Sequence, residues 1–479
     1  MRTPFLFLTL ALLTPAVVTA QETPTERSAA ADVIRRMTEL ERSLGLPQLV
    51  ARLSGRDARR DAVMARAKQL MDQELLAMSD DITRHPEVGW HEERSVKLIT
   101  DYLTAHGFTV EPGVAGLPTA FIARYAKGTA GPRLGVIVEY DALRGTTRDF
   151  HGDQHSAQGP TGLATAVAMA EFLTASETPG TVIVYGTPAE EMGAPEAKTT
   201  MYEAGVFHEA DVLVRSHSST GTERAAAGFG SCCLNIDVMR FTFSGAPAHQ
   251  LRAWDGRDAL AGVIALFNHI DAIRKTLRPE TRIQGIITEG GKAPNVVPDR
   301  AVAEFWIRYP DPVYLIQVAD QVRNAAQAAA LATGTKVKIE ADSAARDGIS
   351  VAALNDLAFT YLRQLGATRI DPDEGAPVPY EETGVVATRI PGVGVTAHSS
   401  NSGYHTFGME ADALTELGHR AFTIDAQAMA GVLYAFATDA RYRATVTREF
   451  TGLQALYADY LAALRNAYPV PTVPDAADR

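Results

Sequence analysis

The sequence predicts an α/β protein whose larger domain has a mixed sheet and carries a smaller, inserted α+β domain. Short apolar runs that are typical of buried strands alternate with helical stretches between residues 134 and 217. Acidic and histidine side chains follow most of these runs, as they do where an open α/β sheet carries an active site. From about residue 232 apolar and polar residues alternate, which is typical of antiparallel strands.

Length and composition limit the possible functions. A chain of 479 residues is too long for one ordinary core, so at least two domains are expected. Apolar residues make up 46% and charged residues 21%, as in globular proteins. The net charge of −12, without a basic stripe, argues against nucleic acid and anionic membranes as partners.

The first twenty residues have the pattern of a cleavable signal peptide. Arg2 precedes the apolar run Phe5–Leu13, and Val18, Thr19 and Ala20 form a small-residue cleavage site. The run is too short to span a membrane, and no later stretch qualifies. We therefore expect a periplasmic or secreted protein without membrane insertion. The only cysteines, Cys232 and Cys233, are adjacent, so we expect buried thiols and no disulfide framework.

The chain then divides into five further segments. Residues 21–66 have helical spacing and predict accessory helices, and residues 67–231 form the first part of the catalytic domain. Residues 232–342 form the insertion, and residues 343–465 complete the catalytic domain. Residues 466–479 are rich in proline and predict a disordered tail.

Within the catalytic domain the predicted elements are helices and buried strands. Helices are predicted over Ala67–Asp81, Glu92–Ala105, Thr161–Ala175 and Asp425–Thr438, and strands over Leu134–Val138, Thr181–Tyr185, Asp211–Val214, 384–390 and 392–398. The predicted strand ends carry Asp, Glu and His, which is the composition of a metal site. His85 and His91 flank a turn and are expected to be structural.

The insertion has the pattern of a small α+β layer. Its predicted elements are a strand over 231–245, a helix Gly256–Ile273, a strand Thr281–Ile287, a strand within 295–310, a helix Val313–Leu331 and a strand Lys336–Ile339.

Several short motifs occur in an order that characterises one enzyme family. They are EYDAL at Glu139–Leu143, HGDQHS at His151–Ser156, PAEE at Pro188–Glu191, SH ending at His217, GAPAHQ at Gly245–Gln250, APNVVPD at Ala293–Asp299 and SGYHTFGME around His405. With them, the chain resembles the dinuclear metallo-aminoacylase and carboxypeptidase family of metallopeptidases over roughly Met71–Thr438. It is most similar to the branch of amidohydrolases that includes p-aminobenzoyl-glutamate hydrolase. The resemblance implies a zinc-peptidase-like catalytic domain and an inserted lid and dimerisation domain.

The resemblance also implies a metal site and its ligands. Two divalent ions (Zn, Mn or Co) would be held by Asp153, His155, Glu191, His217 and His405. His217 alone would more often be structural and His405 alone would be a loop histidine, but together with the carboxylates they favour the metal hypothesis. Asp141 and His151 would orient ligands, although for His151 a ligand role is equally compatible. Glu190 would be the general base, against the alternative of a solvated acidic turn.

The predicted lid would supply the remaining groups. His249 resembles the histidine that reaches the partner subunit's site and stabilises the oxyanion, which implies a homodimer through the lid. Asn295 and Arg308 resemble groups that bind the substrate carboxylate. Alternatively, Asn295 caps a turn and Arg308 pairs with a surface acid.

One motif departs from the family pattern. Similar amidohydrolases have HGCGHN where this chain has HGDQHS, so Asp153 replaces a thiolate ligand and Gln154 replaces a glycine. A carboxylate keeps the negative charge and can bridge two ions. We therefore expect metal binding through O and N ligands.

The expected function is hydrolysis of an N-acyl or N-aroyl amino acid by a metal-activated water. One alternative is a dipeptidase or carboxypeptidase with the same site. The other is a small-molecule binding protein whose catalytic site has decayed, although the presence of all five ligands argues against it.

Overall fold

We describe a computed structural model of the chain over residues 24–192, 197–224, 235–346, 348–371 and 383–468. The predicted signal peptide, both cysteines and residues 469–479 of the predicted tail lie outside this range. Among the described helices, none is both long and apolar enough to cross a membrane.

Fourteen α-helices and twelve strands are present in the described residues. The helices are α1 Pro24–Leu44, α2 Leu46–Leu53, α3 Ala58–Leu70, α4 Leu76–Arg84, α5 Glu93–Ala105, α6 His155–Ala175, α7 Ala197–Glu203, α8 Ala259–Ile273, α9 Pro312–Thr333, α10 Ala352–Gln364, α11 Gly384–Ala387, α12 Phe407–Ala413, α13 Glu416–Thr438 and α14 Ala440–Ala467. The strands are β1 Thr109–Pro112, β2 Phe121–Lys127, β3 Arg133–Val138, β4 Gly180–Gly186, β5 Val212–Ser216, β6 Thr222–Glu223, β7 Asn235–Ser244, β8 Arg282–Glu289, β9 Arg300–Tyr309, β10 Lys336–Ala345, β11 Ile370–Asp371 and β12 Gly392–Val395.

The catalytic domain is built on a six-stranded mixed sheet in the order β1-β2-β4-β3-β5-β12. Strands β4, β3, β5 and β12 are parallel, whereas β1 and β2 pair antiparallel at one side. Five of the six residues of β3 are buried, because helices cover both faces of the sheet. Helices α6 and α13 cover one face, and α7 and α11 cover the other. The predicted α/β fold class is confirmed.

The inserted domain, called the lid below, is a four-stranded antiparallel sheet in the order β10-β7-β9-β8. Helices α8 and α9 pack on one face, over Phe241, Phe243 and Phe305. Asp258 and Asp311 cap the N-termini of these two helices by accepting backbone N–H groups.

Two sequence predictions were wrong in part. Residues 384–390 were expected to form a strand, but 384–387 form the short helix α11, which buries Val386 and Ala387 against the sheet. A short apolar run of this kind fits a buried helix turn as well as a strand. Residues 466–468 were assigned to a disordered tail, but α14 continues to Ala467 and Tyr468 is buried.

Helix α14 connects the two domains. Its first part packs in the catalytic core through Tyr442, Val446 and Phe450, whereas Leu464 and Tyr468 belong to the core of the lid. Helix α1 packs along α14.

Candidate metal centre

The candidate metal centre lies at the C-terminal ends of the parallel strands. Asp141 follows β3, Glu190 and Glu191 follow β4, and His217 follows β5. His155 is the first residue of α6, and His405 lies in the loop between β12 and α12. Because these strand ends share one edge of the sheet, side chains that are distant in sequence meet there.

Three overlapping groups of potential ligand atoms form this centre, and within each group the atoms lie within 4.8 Å of one another. The first contains Asp153, Glu191 and His405. The second contains His155, Glu190 and Glu191, and the third contains Glu139, His155 and His217. All five predicted ligands belong to these groups. We call the position beside Asp153, Glu191 and His405 the outer position, and the position beside His155 and His217 the inner position.

The free atoms of these side chains fit metal ligation. Nδ1 of His155 lies 3.0 Å from Oδ1 of Asp141, so Nε2 remains for a metal and makes no hydrogen bond although it is buried. Nδ1 of His217 lies 3.1 Å from the carbonyl oxygen of Ser218, which also leaves its Nε2 for a metal. Oδ1 of Asp153 is buried without a hydrogen-bond partner, whereas Oδ2 lies 3.0 Å from Nε2 of His405. Unpaired buried polar atoms are costly, and a bound cation would satisfy them.

Several side chains of the centre have raised pKa values, which favour their protonated forms. Burial, together with the charge of Asp153, raises the pKa of Glu191 to about 8. The hydrogen bond to Asp153 raises the pKa of His405. Although burial opposes it, the charges of Glu139 and Asp141 hold the pKa of His155 well above its ordinary value. Because metal ligands must be deprotonated, cations would displace these protons.

Glu190 lies inside the centre, as expected for a general base. It is 7% exposed, and its carboxylate belongs to the same ligand-atom group as His155 and Glu191. Asp141 accepts the backbone N–H of Glu191 at 2.8 Å in addition to contacting His155. It therefore fixes both a ligand side chain and the turn that carries Glu190.

His151 lies beside the centre but belongs to none of the three ligand-atom groups. Its side chain is buried, and burial lowers its pKa to about 3, so the ring is neutral. Its backbone N–H donates to Glu410, which also pairs with Arg148. This arrangement fits the orienting alternative better than the ligand alternative.

Sequence reasoning missed a buried charge network behind the inner position. Nζ of Lys198 lies 2.6 Å from Oε1 of Glu139, and Nη2 of Arg215 lies 2.9 Å from Oε2 of the same carboxylate. All three side chains are fully buried. Although burial raises it, Arg215 and Lys198 hold the pKa of Glu139 well below its ordinary value. We call Lys198, Glu139 and Arg215 the charge network.

The sequence HPEVGWHEE was interpreted as a turn, but it supports the catalytic loop. Oε1 of Glu92 accepts the backbone N–H of Ala189 at 2.8 Å, and Oε2 accepts the hydroxyl of Thr119 at 2.8 Å. Ala189, which directly precedes Glu190, has φ 58°, a conformation that L-residues rarely adopt. Gly89 packs so closely on Ala189 that a Cβ there would lie 2.7 Å from its Cα. Because Glu92 lies 97 positions before Ala189 in the sequence, the PAEE motif does not point to it.

The departure from the family motif is accommodated locally. Gln154 has φ 55°, a left-handed conformation that favours glycine. Its Nε2 donates to the carbonyl oxygen of Met409 at 2.7 Å, a bond that glycine could not make. Asp153 thus keeps its place in the outer position.

The predicted lid residues lie at two opposite ends of the lid sheet. His249 pairs with Val296 in an isolated bridge, and Gln250 donates to the carbonyl oxygen of Asn295, so His249 and Asn295 share the exposed tip. Nδ1 of His249 accepts the N–H of Leu251 at 3.2 Å, which leaves the proton of a neutral ring on Nε2. Arg308 lies at the other end of β9, over the ring of Trp306. Within one chain, Asn295 and Arg308 therefore do not lie side by side, as binding of the same substrate carboxylate would require.

Comparisons with known proteins agree with this architecture. Residues 235–333 match the peptidase dimerisation domain family. The chain is 30% identical over 353 residues to human Xaa-Arg dipeptidase, covering 69% of this chain and 78% of the relative. It is 29% identical over 330 residues to a component of the p-aminobenzoyl-glutamate hydrolase of Escherichia coli K12, covering 66% of each chain.

Solved structures show the same fold. An aminobenzoyl-glutamate utilization protein from Klebsiella pneumoniae superposes with a TM-score of 0.60 at 19% identity, covering 78% of this chain and 98% of that structure. A dinuclear metal-binding peptidase of the M20 family from Bacillus subtilis superposes with a TM-score of 0.53 at 19% identity, covering 77% and 99%.

Proposed function

Because this chain belongs to the M20 family of metal-dependent hydrolases of amide bonds, we propose that it cleaves N-acyl or N-aroyl amino acids and releases the free amino acid. The observation that carries the proposal is the position of Glu190 within one group of ligand atoms together with His155 and Glu191. A carboxylate that is not needed as a ligand can move a proton there.

We propose that the outer and inner positions hold two divalent ions, of zinc, manganese or cobalt. O and N ligands of this set suit all three ions. When bound, such a pair supplies Lewis acidity to water and to the scissile carbonyl. Asp153 is the ligand that can serve both positions, because carboxylates bridge two ions readily.

In this proposal the protein side chains move and stabilise charge. Glu190 takes a proton from the attacking water and delivers it to the departing amine. Asp141 keeps the His155 ring and the Glu190–Glu191 turn in place. The outward Nε2–H of His249 from the partner subunit donates to the oxyanion, because its Nδ1 is already occupied.

A homodimer through the lid is part of the proposal. Most exposed large apolar side chains of the described residues lie on the lid: Leu251, Trp254, Ile264, Ile286, Ile287, Val296, Ile316 and Leu331. Strand β8 is an edge strand, so its backbone groups can pair with another chain. With two subunits, Asn295 of one and Arg308 of the other could bind one substrate carboxylate, which a single chain does not bring together.

The substrate could also be a dipeptide, as the name of the Xaa-Arg dipeptidases indicates for those relatives. A kinetic panel of N-acyl amino acids, p-aminobenzoyl-glutamate and dipeptides ranks these classes by kcat/KM. A preference for dipeptides by more than about tenfold would replace the leading substrate class without changing the proposed chemistry. The N-terminal pattern supports export to the periplasm or outside the cell, which fractionation of cells expressing the full chain would test.

The central experiment replaces Glu190 by glutamine. We expect Glu190→Gln to retain two metal ions per chain and to lose hydrolysis by orders of magnitude, because the amide cannot accept a proton. The matched control Glu191→Gln should lose activity together with metal, since it removes a ligand. Metal content is measured by mass spectrometry after dialysis and turnover by amine release. Near-normal turnover of Glu190→Gln would show that Glu190 is not the general base. A wild-type protein that contains no metal would favour the alternative of a binding protein with a decayed site.

A further inference from the structure

The charge network lies directly behind the inner position. Oε2 of Glu139 is 3.5 Å from Nε2 of His155, the atom that faces the metal centre. The rings of His155 and His217 are 5.6 Å apart between centroids. The carboxylate of Glu139 also belongs to the ligand-atom group of the inner position. Lys198 and Arg215 therefore lie one side chain behind the inner position.

The network already engages a carboxylate that lies beside both inner histidines. In the ligand-atom group that contains both His155 and His217, the carboxylate is Glu139. Lys198 pairs with one of its oxygens and Arg215 with the other, and none of the three side chains is exposed to water. A metal ion at the inner position would therefore meet a carboxylate whose negative charge two cations already compensate.

The outer position has different surroundings. Two of its three predicted ligands, Asp153 and Glu191, are carboxylates, and the third, His405, is an imidazole on the exposed side of the centre. Asp153 can serve both positions and so does not distinguish them, whereas the other groups that line the inner position are the imidazoles of His155 and His217 and the compensated carboxylate of Glu139. Electrostatic attraction for a divalent ion is thus concentrated at the outer position.

From this asymmetry we propose that the charge network makes the inner position bind its divalent cation more weakly than the outer position. This inference rests on the metal centre of the proposed function. At an effective permittivity of about 20, a single buried charge that is one side chain away from a divalent cation changes a binding constant by well over tenfold. The protein therefore fills its positions in sequence, outer before inner, and loses the inner cation first on dilution.

Two variants of one ion pair test this inference, and they should change the affinity of the weaker cation-binding step in opposite directions. Lys198→Met removes a positive charge and releases Oε1 of Glu139, so it should tighten the weaker step by at least about tenfold, with the stronger step changed less. Glu139→Gln removes the negative charge and should weaken the same step. Lys198→Arg keeps the charge and is the matched control, with an expected change of less than about threefold. Structural damage alone would weaken binding, so tighter binding in Lys198→Met is not an effect of poor folding.

The measurement is calorimetric titration of the metal-free full chain with Co²⁺, with metal content after dialysis as a second readout. We expect wild type to bind in two steps whose dissociation constants differ by at least about tenfold. Circular dichroism verifies the fold of each variant, and if Lys198→Met does not fold, Lys198→Gln, which also removes the positive charge, takes its place. Two equal steps, or an unchanged or weaker inner step in folded Lys198→Met, would overturn the inference. Absence of any Co²⁺ binding would instead refute the metal centre itself.

Discussion

At the scale of single residues, the positions of the catalytic side chains depend on buried carboxylates that touch no substrate. Asp141 holds the ring of the candidate ligand His155 and a backbone N–H, Glu410 holds the HGDQHS segment, and Glu92 holds the residue before the proposed general base. Each accepts hydrogen bonds from groups that burial separates from water, so each is costly to remove. The precision of the centre is therefore set by residues outside it.

Glu92 provides a test of this positioning. Glu92→Ala leaves the N–H of Ala189 without an acceptor, and the turn at φ 58° can relax away from its catalytic geometry. We expect kcat to fall by about tenfold to a hundredfold with little change in KM, because small misplacements of a catalytic group are costly. Steady-state kinetics with measured metal content gives both parameters.

The conservative variant separates positioning from charge. Glu92→Gln retains a carbonyl oxygen that can accept the N–H of Ala189, so it should recover most of kcat. If the alanine variant turns over normally, Glu92 has no positioning role. Equal losses in both variants would point to the carboxylate charge instead.

The candidate ligands could be named from the family motifs and from the apolar runs that precede several of them, and the structure brings their ligand atoms together. Lys198 and Arg215 could not, because a buried lysine contradicts the usual distribution of that residue, and only the fold brings it to Glu139. Gln154 was noticed as a departure from glycine, but its left-handed conformation and its bond to Met409 depend on a loop far along the chain.

At the scale of elements, helix α14 also holds α10 in place through a buried carboxyl. Glu449 is fully buried and accepts the backbone N–H groups of Ala352 and Ala353, at the N-terminus of α10, at 2.7 Å and 3.0 Å. Burial raises the pKa of Glu449 from 4.5 to about 7. The folded chain therefore keeps this carboxyl protonated at mildly acidic pH, where an exposed glutamate is already ionised.

This shift predicts a pH dependence of stability. A raised pKa stabilises the fold fully below about pH 4.5, and this contribution is lost as pH rises through about 7. Its size is about 3 kcal/mol in the free energy of unfolding, to order of magnitude. Glu449→Gln cannot titrate, so the stability of wild type relative to the variant should fall between about pH 5 and about pH 8.

Urea unfolding of both proteins at the two pH values measures the difference. The exposed Glu416→Gln is the control and should show no such change relative to wild type. A relative stability that is constant with pH would mean that Glu449 does not hold its proton in the fold. Other titrating groups cancel because they are present in both chains.

Most elements were predictable and their ends were not. The continuous apolar runs of β3, β4 and β5 were visible because helices cover both faces of the sheet. Helix α13 begins at Glu416 rather than at the predicted Asp425. Its first two turns contact other helices with few large apolar residues, so the apolar pattern did not reveal them. Helix α11 was mistaken for a strand, since four residues are too few to show a helical period.

At the scale of the whole molecule, both domains could be predicted because the change from continuous to alternating apolar runs marks the start of the lid. The separation of His249 from Arg308 along the lid sheet could not be predicted, since it depends on the register of β9 with β7. This separation makes a second subunit part of the proposed catalytic unit.

A complementation experiment tests that assembly. If His249 acts on the partner subunit's site, mixed dimers of Glu190→Gln and His249→Ala contain one complete site, whereas homodimers of either variant contain none. Random mixing should therefore restore about a quarter of wild-type activity. Each variant alone supplies the baseline, and sedimentation of the mixture verifies dimers.

The complementation result also separates the two possible arrangements. If His249 acts within its own chain, every mixed dimer has two defective sites and mixing restores nothing. An active monomer in sedimentation would contradict the dimer altogether.

The chain enters and leaves the lid once each, and helix α14 adds a third attachment between the lid and the catalytic domain. Tyr468 is 3% exposed, its carbonyl oxygen accepts Nε2 of Gln317 at 2.8 Å, and Arg278 lies 4.2 Å above its ring. A lid that rotates during turnover must bend this helix or slide along it, so the stiffness of a 28-residue rod limits the amplitude of the swing. If product release requires that rotation, its rate depends on residues far from the metal centre, at the end of α14.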